Sequence, residues 1–281
     1  MNHKITGQHP PDGRHSATET LPTVESLLPP LESLVRCQEV TQELNSTLEK
    51  LLNLETTTFE EEIQKIHAII RWGYKATNGR MFVSTSGGET SAILPHLIKS
   101  ALADMPEPPN LHLIFINTQC YPPETLDMVH SYLGAAEEDG GLGFTINEFG
   151  PTPEEAQALF RENPDWWNNP DLPTFQRVAF ILKGAPTQEA LEEMRQRLGP
   201  NGEPILWLRA IRATQTPERA AASIIEPGAQ AIRLHPLLKW TKQQIQEYIK
   251  KYDLPINGDH VDLTKPGKQR ECPMDLIDRA E

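Results

Sequence analysis

Met81-Phe82-Val83-Ser84-Thr85-Ser86-Gly87-Gly88-Glu89-Thr90-Ser91 joins a short apolar segment to a turn rich in serine and glycine. Residues 81–84 read as a strand, and a helix is predicted from about 90 to 102. A strand that feeds a helix through such a turn suits a phosphate group. Glycines let the backbone approach the anion, the helix N-terminus offers unpaired N–H groups, and hydroxyls add donors. Ser84, Thr85, Ser86, Gly87, Gly88 and Ser91 are therefore candidate phosphate ligands. The stretch lacks the Gly-Lys-Ser/Thr ending of a Walker loop and the glycine spacing of a dinucleotide fingerprint. Taken alone, it also suits a turn that only caps a helix.

Working outward, the pattern repeats. Residues 111–116 form a continuous apolar run of buried-strand type, followed by a predicted helix over 123–132. Further strands are expected at 143–148, 205–208 and 231–234, and Thr241 is placed to cap a helix carrying Ile245, Tyr248 and Ile249. Strands alternating with helices imply an α/β fold, a parallel twisted sheet with helices on both faces. Upstream, residues 26–78 read as a helical extension. Leu34, Cys37, Thr41, Leu44, Leu48 and Leu51 form one apolar seam over 31–54, and a second helix is predicted over 59–74. The seam suits a helix packed on its own domain better than a dimer helix, because it is short and has one polar position. Residues 1–25 are expected to be disordered, and 257–281 to form a mobile tail. The nucleotide-binding domain is expected to span 79–256.

Composition narrows the partners. A formal net charge of −13 over 281 residues disfavours nucleic acid. A local arginine cluster can still hold a small anion. No run of eighteen apolar residues occurs, and the first twenty residues lack a signal-peptide core, so a cytoplasmic protein without membrane contact is expected. The three cysteines, Cys37, Cys120 and Cys272, cannot supply four ligands to an iron–sulfur cluster or a closed zinc site. No bound metal or resident cofactor is expected.

Four segments, taken in order, resemble one family: the thioredoxin-dependent 3′-phosphoadenylyl-sulfate (PAPS) reductases. Ser84-Thr85-Ser86 through Leu97-Ile98 is similar to that family's modified PP-loop and the helix after it. Ile116-Asn117-Thr118 with Pro123-Glu124-Thr125 resembles its Ile-Asp-Thr…Pro-Glu-Thr segment, with Asn117 in place of Asp. Arg212, Gln215 and Arg219 match Arg-Arg-Glu-Gln-Ser-x-x-Arg-Ala, with Ala213 and Thr214 at the second Arg and the Glu. Residues 231–255, with Pro236-Leu237, Trp240 and Tyr248, are similar to a mainly structural segment of the family.

The resemblance implies an adenine nucleotide alpha-hydrolase-like, Rossmann-like fold with a sulfonucleotide bound at these segments. Asn117, Arg212, Gln215 and Arg219 join the loop residues as implied ligands. Two arginine forks can hold phosphate or sulfate bidentately. The family's Lys-x-Glu-Cys-Gly-Leu-His ending corresponds to Lys268-Gln269-Arg270-Glu271-Cys272-Pro273-Met274-Asp275, which implies Cys272 as the nucleophile. It implies reduction of PAPS to sulfite and adenosine 3′,5′-bisphosphate, with thioredoxin or glutaredoxin as reductant. Lys265, Lys268 and Arg270 favour the Cys272 thiolate, whereas Asp275 opposes it. Cys120 reads as a loop thiol.

Two other readings stay open. One is a non-catalytic nucleotide-binding regulator or assembly partner that uses the N-terminal helices as its surface. The other is a sulfur or adenylyl transferase of the wider PP-loop group, opposed by the missing Asp after the glycine pair. A homodimer is also left open.

Overall fold

The two most apolar runs become neighbours in the middle of one sheet. A computed structural model describes residues 27–37, 42–105, 110–167 and 173–255. In it β1 (Met81–Thr85) pairs in parallel with β2 (His112–Ile116), Val83 opposite Leu113. β2 pairs with β3 (Thr145–Phe149) on its far side. On the other side β1 pairs in parallel with β4 (Leu206–Leu208), and β4 with β6 (Ile232–Leu234). A two-residue strand, β5 (Ile225–Glu226), closes that edge antiparallel to β6. The six-stranded order is β3-β2-β1-β4-β6-β5. The expected parallel sheet is thus present, with one antiparallel edge strand too short to leave a periodic signal.

Alternation along the strands sends side chains into two layers. Val83, Leu113, Phe115, Leu206 and Leu208 face the larger core. It also takes side chains from α3 (Phe59–Ala76), α4 (Glu89–Leu102) and α10 (Lys242–Tyr252). Phe82, Ile114, Ile116 and Trp207 face the other way, onto Ala190 and Met194 of α8 (Ala185–Leu198). Capping boxes at Thr58–Glu61 and Thr241–Gln244 fix the starts of α3 and α10.

The N-terminal extension belongs to this core. Its seam forms two helices, α1 (Leu31–Val35) and α2 (Gln42–Leu52), where the sequence suggests one. Arg36 leaves the first at φ −93°, ψ 10°, and both pieces lie against α3. Thr41 of the seam lies outside the described residues. Leu34, Cys37, Leu44, Leu48 and Leu51 are buried in the main core, so the seam packs on its own domain. Asn45 of α2 donates to the Ile225 carbonyl (2.9 Å) and accepts from the Ile225 N–H (3.0 Å). A side-chain amide thereby covers a sheet edge that would otherwise invite pairing.

Lys65 secures the far end of α2. It is 2% exposed. Its Nζ donates to the carbonyls of Leu52 (3.1 Å) and Leu54 (3.0 Å) and pairs with Glu62 at 2.7 Å. Lys65→Met keeps the apolar stem but strands those acceptors. It is expected to lower unfolding free energy by about 2–3 kcal/mol with nucleotide affinity unchanged. A denaturant titration checks this; a shift below about 0.5 kcal/mol, the scale of an ordinary surface change, would contradict it.

Candidate functional site

Chain order around the sheet picks out one crevice. From β1 the chain steps outward through β2 to β3, then returns across to β4 and continues to β6. The carboxyl ends of β1 and β4 are therefore the topological switch point, where open α/β sheets bind ligands. The Ser/Gly loop leaves β1 there, and the arginine segment leaves β4 there.

The loop is shaped from within. Gly87 has φ +75°, the left-handed region, and Gly88 caps α4 at φ −83° with no side-chain bond. A Cβ on Gly87 would lie 2.4 Å from Thr125 Cγ2, so the loop packs directly on α5 (Pro123–Asp127). Thr85 Oγ1 accepts from Gly87 N–H (3.1 Å) and donates to the Ser91 carbonyl (3.3 Å). Pro95 explains why that carbonyl is available: it lies inside α4 and has no N–H to return to Ser91. Ser86 and Ser91 hydroxyls lie 3.3 Å apart at the mouth of the helix. Ser84 is placed differently. Its hydroxyl accepts from the Trp207 indole N–H (2.9 Å), on the α8 side of the sheet.

Asn117 directly follows β2 and is buried. Its amide donates to Glu148 (2.8 Å) and its oxygen accepts from Gln119 N–H (3.0 Å), so it ties β2 to β3. Gly150 passes so close that a Cβ there would lie 2.1 Å from the Asn117 carbonyl oxygen.

Arg212, Gln215 and Arg219 come together as expected. Gln215 Oε1 accepts from Arg212 N–H (2.8 Å) and from Arg219 Nη1 (2.7 Å). Thr216 caps the short helix α9 (Pro217–Ala220) by accepting from Arg219 N–H, and Arg212 Nη1 donates to Thr214 (3.1 Å). Both guanidinium side chains are buried, at 9% and 4% exposure.

Three further groups at this end of the sheet were not picked out from sequence. Lys183 is 3% exposed and sits in a π-helical turn, Phe180–Gly184, just before α8. Gly199, at the other end of α8, lies against Ile205 at the amino end of β4, so Lys183 belongs to the carboxyl side. A lone lysine after the apolar Phe180-Ile181-Leu182 was the available signal, and π-turns are frequent at functional sites. Arg209 and His235 each follow the last residue of a central strand and are buried.

Of the thiols, Cys37 is buried in the core, which pushes its pKa up to about 11. Half-buried Cys120 packs against the small apolar cluster that contains Trp166 and Phe175. Cys272 lies outside the described residues. Among those described, no three His, Cys, Asp or Glu side chains are grouped to hold a metal ion, and no helix is long and apolar enough to cross a membrane.

A profile of the phosphoadenosine phosphosulfate reductase domain matches residues 80–259. The chain is 27% identical over 214 residues to a phosphoadenosine 5′-phosphosulfate reductase of Synechocystis, covering 76% of this chain and 77% of that protein. It is 25% identical over 210 residues to an adenosine 5′-phosphosulfate reductase of Staphylococcus haemolyticus, covering 74% and 76%. The crystal structure of PAPS reductase from Candida auris, a phosphate complex, superposes with a TM-score of 0.52 at 24% identity, over 77% of this chain and 89% of that one.

Proposed function

Because this chain belongs to the phosphoadenosine phosphosulfate reductase family, we propose that it is an oxidoreductase acting on a sulfonucleotide bound at the β1–β4 switch point. The observation that supports the reading is the parallel pairing of β1 with β4, whose carboxyl ends lead into the Ser/Gly loop and the two-arginine segment. Ser86, Gly87, Gly88 and Ser91 would hold one anionic group at the start of α4. Arg212 and Arg219, braced by Gln215, would hold another, and Lys183 adds a buried cation at the same end. Thr85 shapes the loop, Ser84 anchors it to Trp207, and Asn117 braces the floor.

The chemistry follows from the sulfur centre. The Cys272 thiolate attacks the sulfur of PAPS, forming an S–S bond as the S–O bond to phosphate breaks. Adenosine 3′,5′-bisphosphate leaves with the electron pair, and the enzyme holds an S-sulfocysteine. A thiolate of a dithiol partner, thioredoxin or glutaredoxin, then attacks the Cys272 sulfur and expels sulfite. The partner's second thiol resolves the mixed disulfide and restores Cys272. The two electrons come from that dithiol. A reducing compartment such as the cytoplasm supplies it.

Sulfite release from PAPS with reduced thioredoxin tests the activity. The anion clamp has its own test. Arg212→Ala or Arg219→Ala should weaken binding of adenosine 3′,5′-bisphosphate by about 1.5–3 kcal/mol, the scale of a hydrogen bond to a charged group. Calorimetry showing unchanged affinity in both would return these arginines to a purely structural role.

A further inference from the structure

We propose that Glu148 is a positioning residue for the nucleotide site: its carboxylate fixes the Asn117 amide, and through it the β2–α5 connection against which the Ser/Gly loop packs. The proposal rests on the nucleotide reading above and adds a residue that holds that site in shape.

The β2–α5 connection is strapped to the end of β3 at three points. Asn117 N–H donates to the Phe149 carbonyl at 2.7 Å. Asn117 Nδ2 donates to Glu148 Oε1 at 2.8 Å. Gln119 Nε2 donates to the Pro151 carbonyl at 3.2 Å. Gln119 sits at φ +58°, in the left-handed region that side chains disfavour. Asn117 Oδ1 holds it there by accepting from its N–H at 3.0 Å. Asn117 makes both side-chain bonds only while its amide keeps one orientation. Glu148 sets that orientation, because a carboxylate only accepts and so takes the NH₂ end. The connection then enters α5, where Thr125 meets Gly87. Glu148 thereby reaches the Ser/Gly loop through one short run of chain.

Glu148 is itself held. It lies opposite Phe115 in the β2–β3 register, and His130 Nε2 is 3.2 Å from its second oxygen. His130 comes from a π-helical turn, Met128–Gly134, and stands edge-on to the Phe115 ring at 6.3 Å. Such turns are frequent at functional sites. Asn147 and Glu148 point to opposite faces of β3. Arg197 of α8, paired with Glu193, and His112 of β2 gather at Asn147, on the far face, while His130 faces Glu148.

The pairing also calls for an amide at position 117. An aspartate there would put a carboxylate oxygen where an N–H group now lies 2.8 Å from Glu148. Two carboxylates that close cannot both stay ionised, and they hold one proton between them. With that proton, an O–H replaces the Asn117 N–H. Without it, the two groups repel and the connection is pushed away from β3.

The test is equilibrium binding of adenosine 3′,5′-bisphosphate to the full chain by calorimetry. Each variant is compared with the parent at pH 5.5 and at pH 8, so that the ligand's own titration cancels. Glu148→Ala should lose about tenfold in affinity. Glu148→Gln keeps an acceptor for Asn117 and should recover most of that loss. Asn117→Asp should bind about tenfold or more weakly than the parent at pH 8 and approach the parent at pH 5.5. Adding Glu148→Gln to Asn117→Asp should remove this pH dependence, which a loss of packing alone would not do. If Asn117→Asp does not fold at pH 8, the Glu148 variants decide, because that side chain is 38% exposed. Parent-like affinity in Glu148→Ala, or a loss in Asn117→Asp that is equal at both pH values, overturns the proposal and leaves the nucleotide reading intact. A parent that does not bind adenosine 3′,5′-bisphosphate overturns both.

Discussion

Gly87→Val will abolish measurable nucleotide binding. Gly87 holds φ +75°, where a β-branched residue is strongly disfavoured, at about 1–2 kcal/mol for the backbone alone. The added Cβ would also meet Thr125 Cγ2 at 2.4 Å, so either the loop lifts or α5 moves. Both responses misplace the N–H groups at the start of α4. Affinity for adenosine 3′,5′-bisphosphate should fall by more than about a hundredfold, because such a site depends on placement to within about 1 Å. Gly88, at φ −83°, makes no left-handed demand. Gly88→Ala should bind within about threefold of the parent, the scale of a change without backbone strain. A folded Gly87→Val protein that binds like the parent would show that the left-handed turn is not what shapes the site.

Cys272→Ser should have the larger effect on turnover and almost none on binding. A hydroxyl at that position cannot form the S–S bond through which electrons pass from the dithiol to sulfur. Sulfite release should drop to background, while bisphosphate affinity stays at the parent value. Cys37→Ser and Cys120→Ser should retain turnover, since Cys37 is buried with a raised pKa and Cys120 is half-buried against a small apolar cluster. Sulfite release persisting in Cys272→Ser would move the nucleophile to another thiol or exclude this chemistry.

The strand–turn–helix unit at 81–91 was legible because its whole signal is local: an apolar strand, a Ser/Gly turn and a helix within eleven residues. The Arg212–Gln215–Arg219 group was legible for the same reason, since one short turn holds all three. What stayed hidden depends on distant partners. Ser84 looks like a ligand from its neighbours, yet its hydroxyl is engaged by Trp207, 123 positions away. Asn117 is set by Glu148 across a strand pair. Arg209 and His235 read as unremarkable polar residues after apolar runs until β4 and β6 become neighbours. Lys183 was masked by the apolar residues before it, and β5 by its length of two residues. The alternation of strands and helices announced the sheet. The cover of the antiparallel edge by Asn45 of α2 needed a contact 180 positions apart.

The central claim is that this fold holds a sulfonucleotide so that Cys272 can take its sulfonate. Incubating the full chain with PAPS, without any dithiol reductant, isolates that step. Intact-mass and peptide mass spectrometry should show one sulfonate per chain, mapped to Cys272, with adenosine 3′,5′-bisphosphate released in equal amount. Tight nucleotide binding with no sulfonate on any of the three cysteines would contradict the account and leave a nucleotide-binding protein without reductase chemistry.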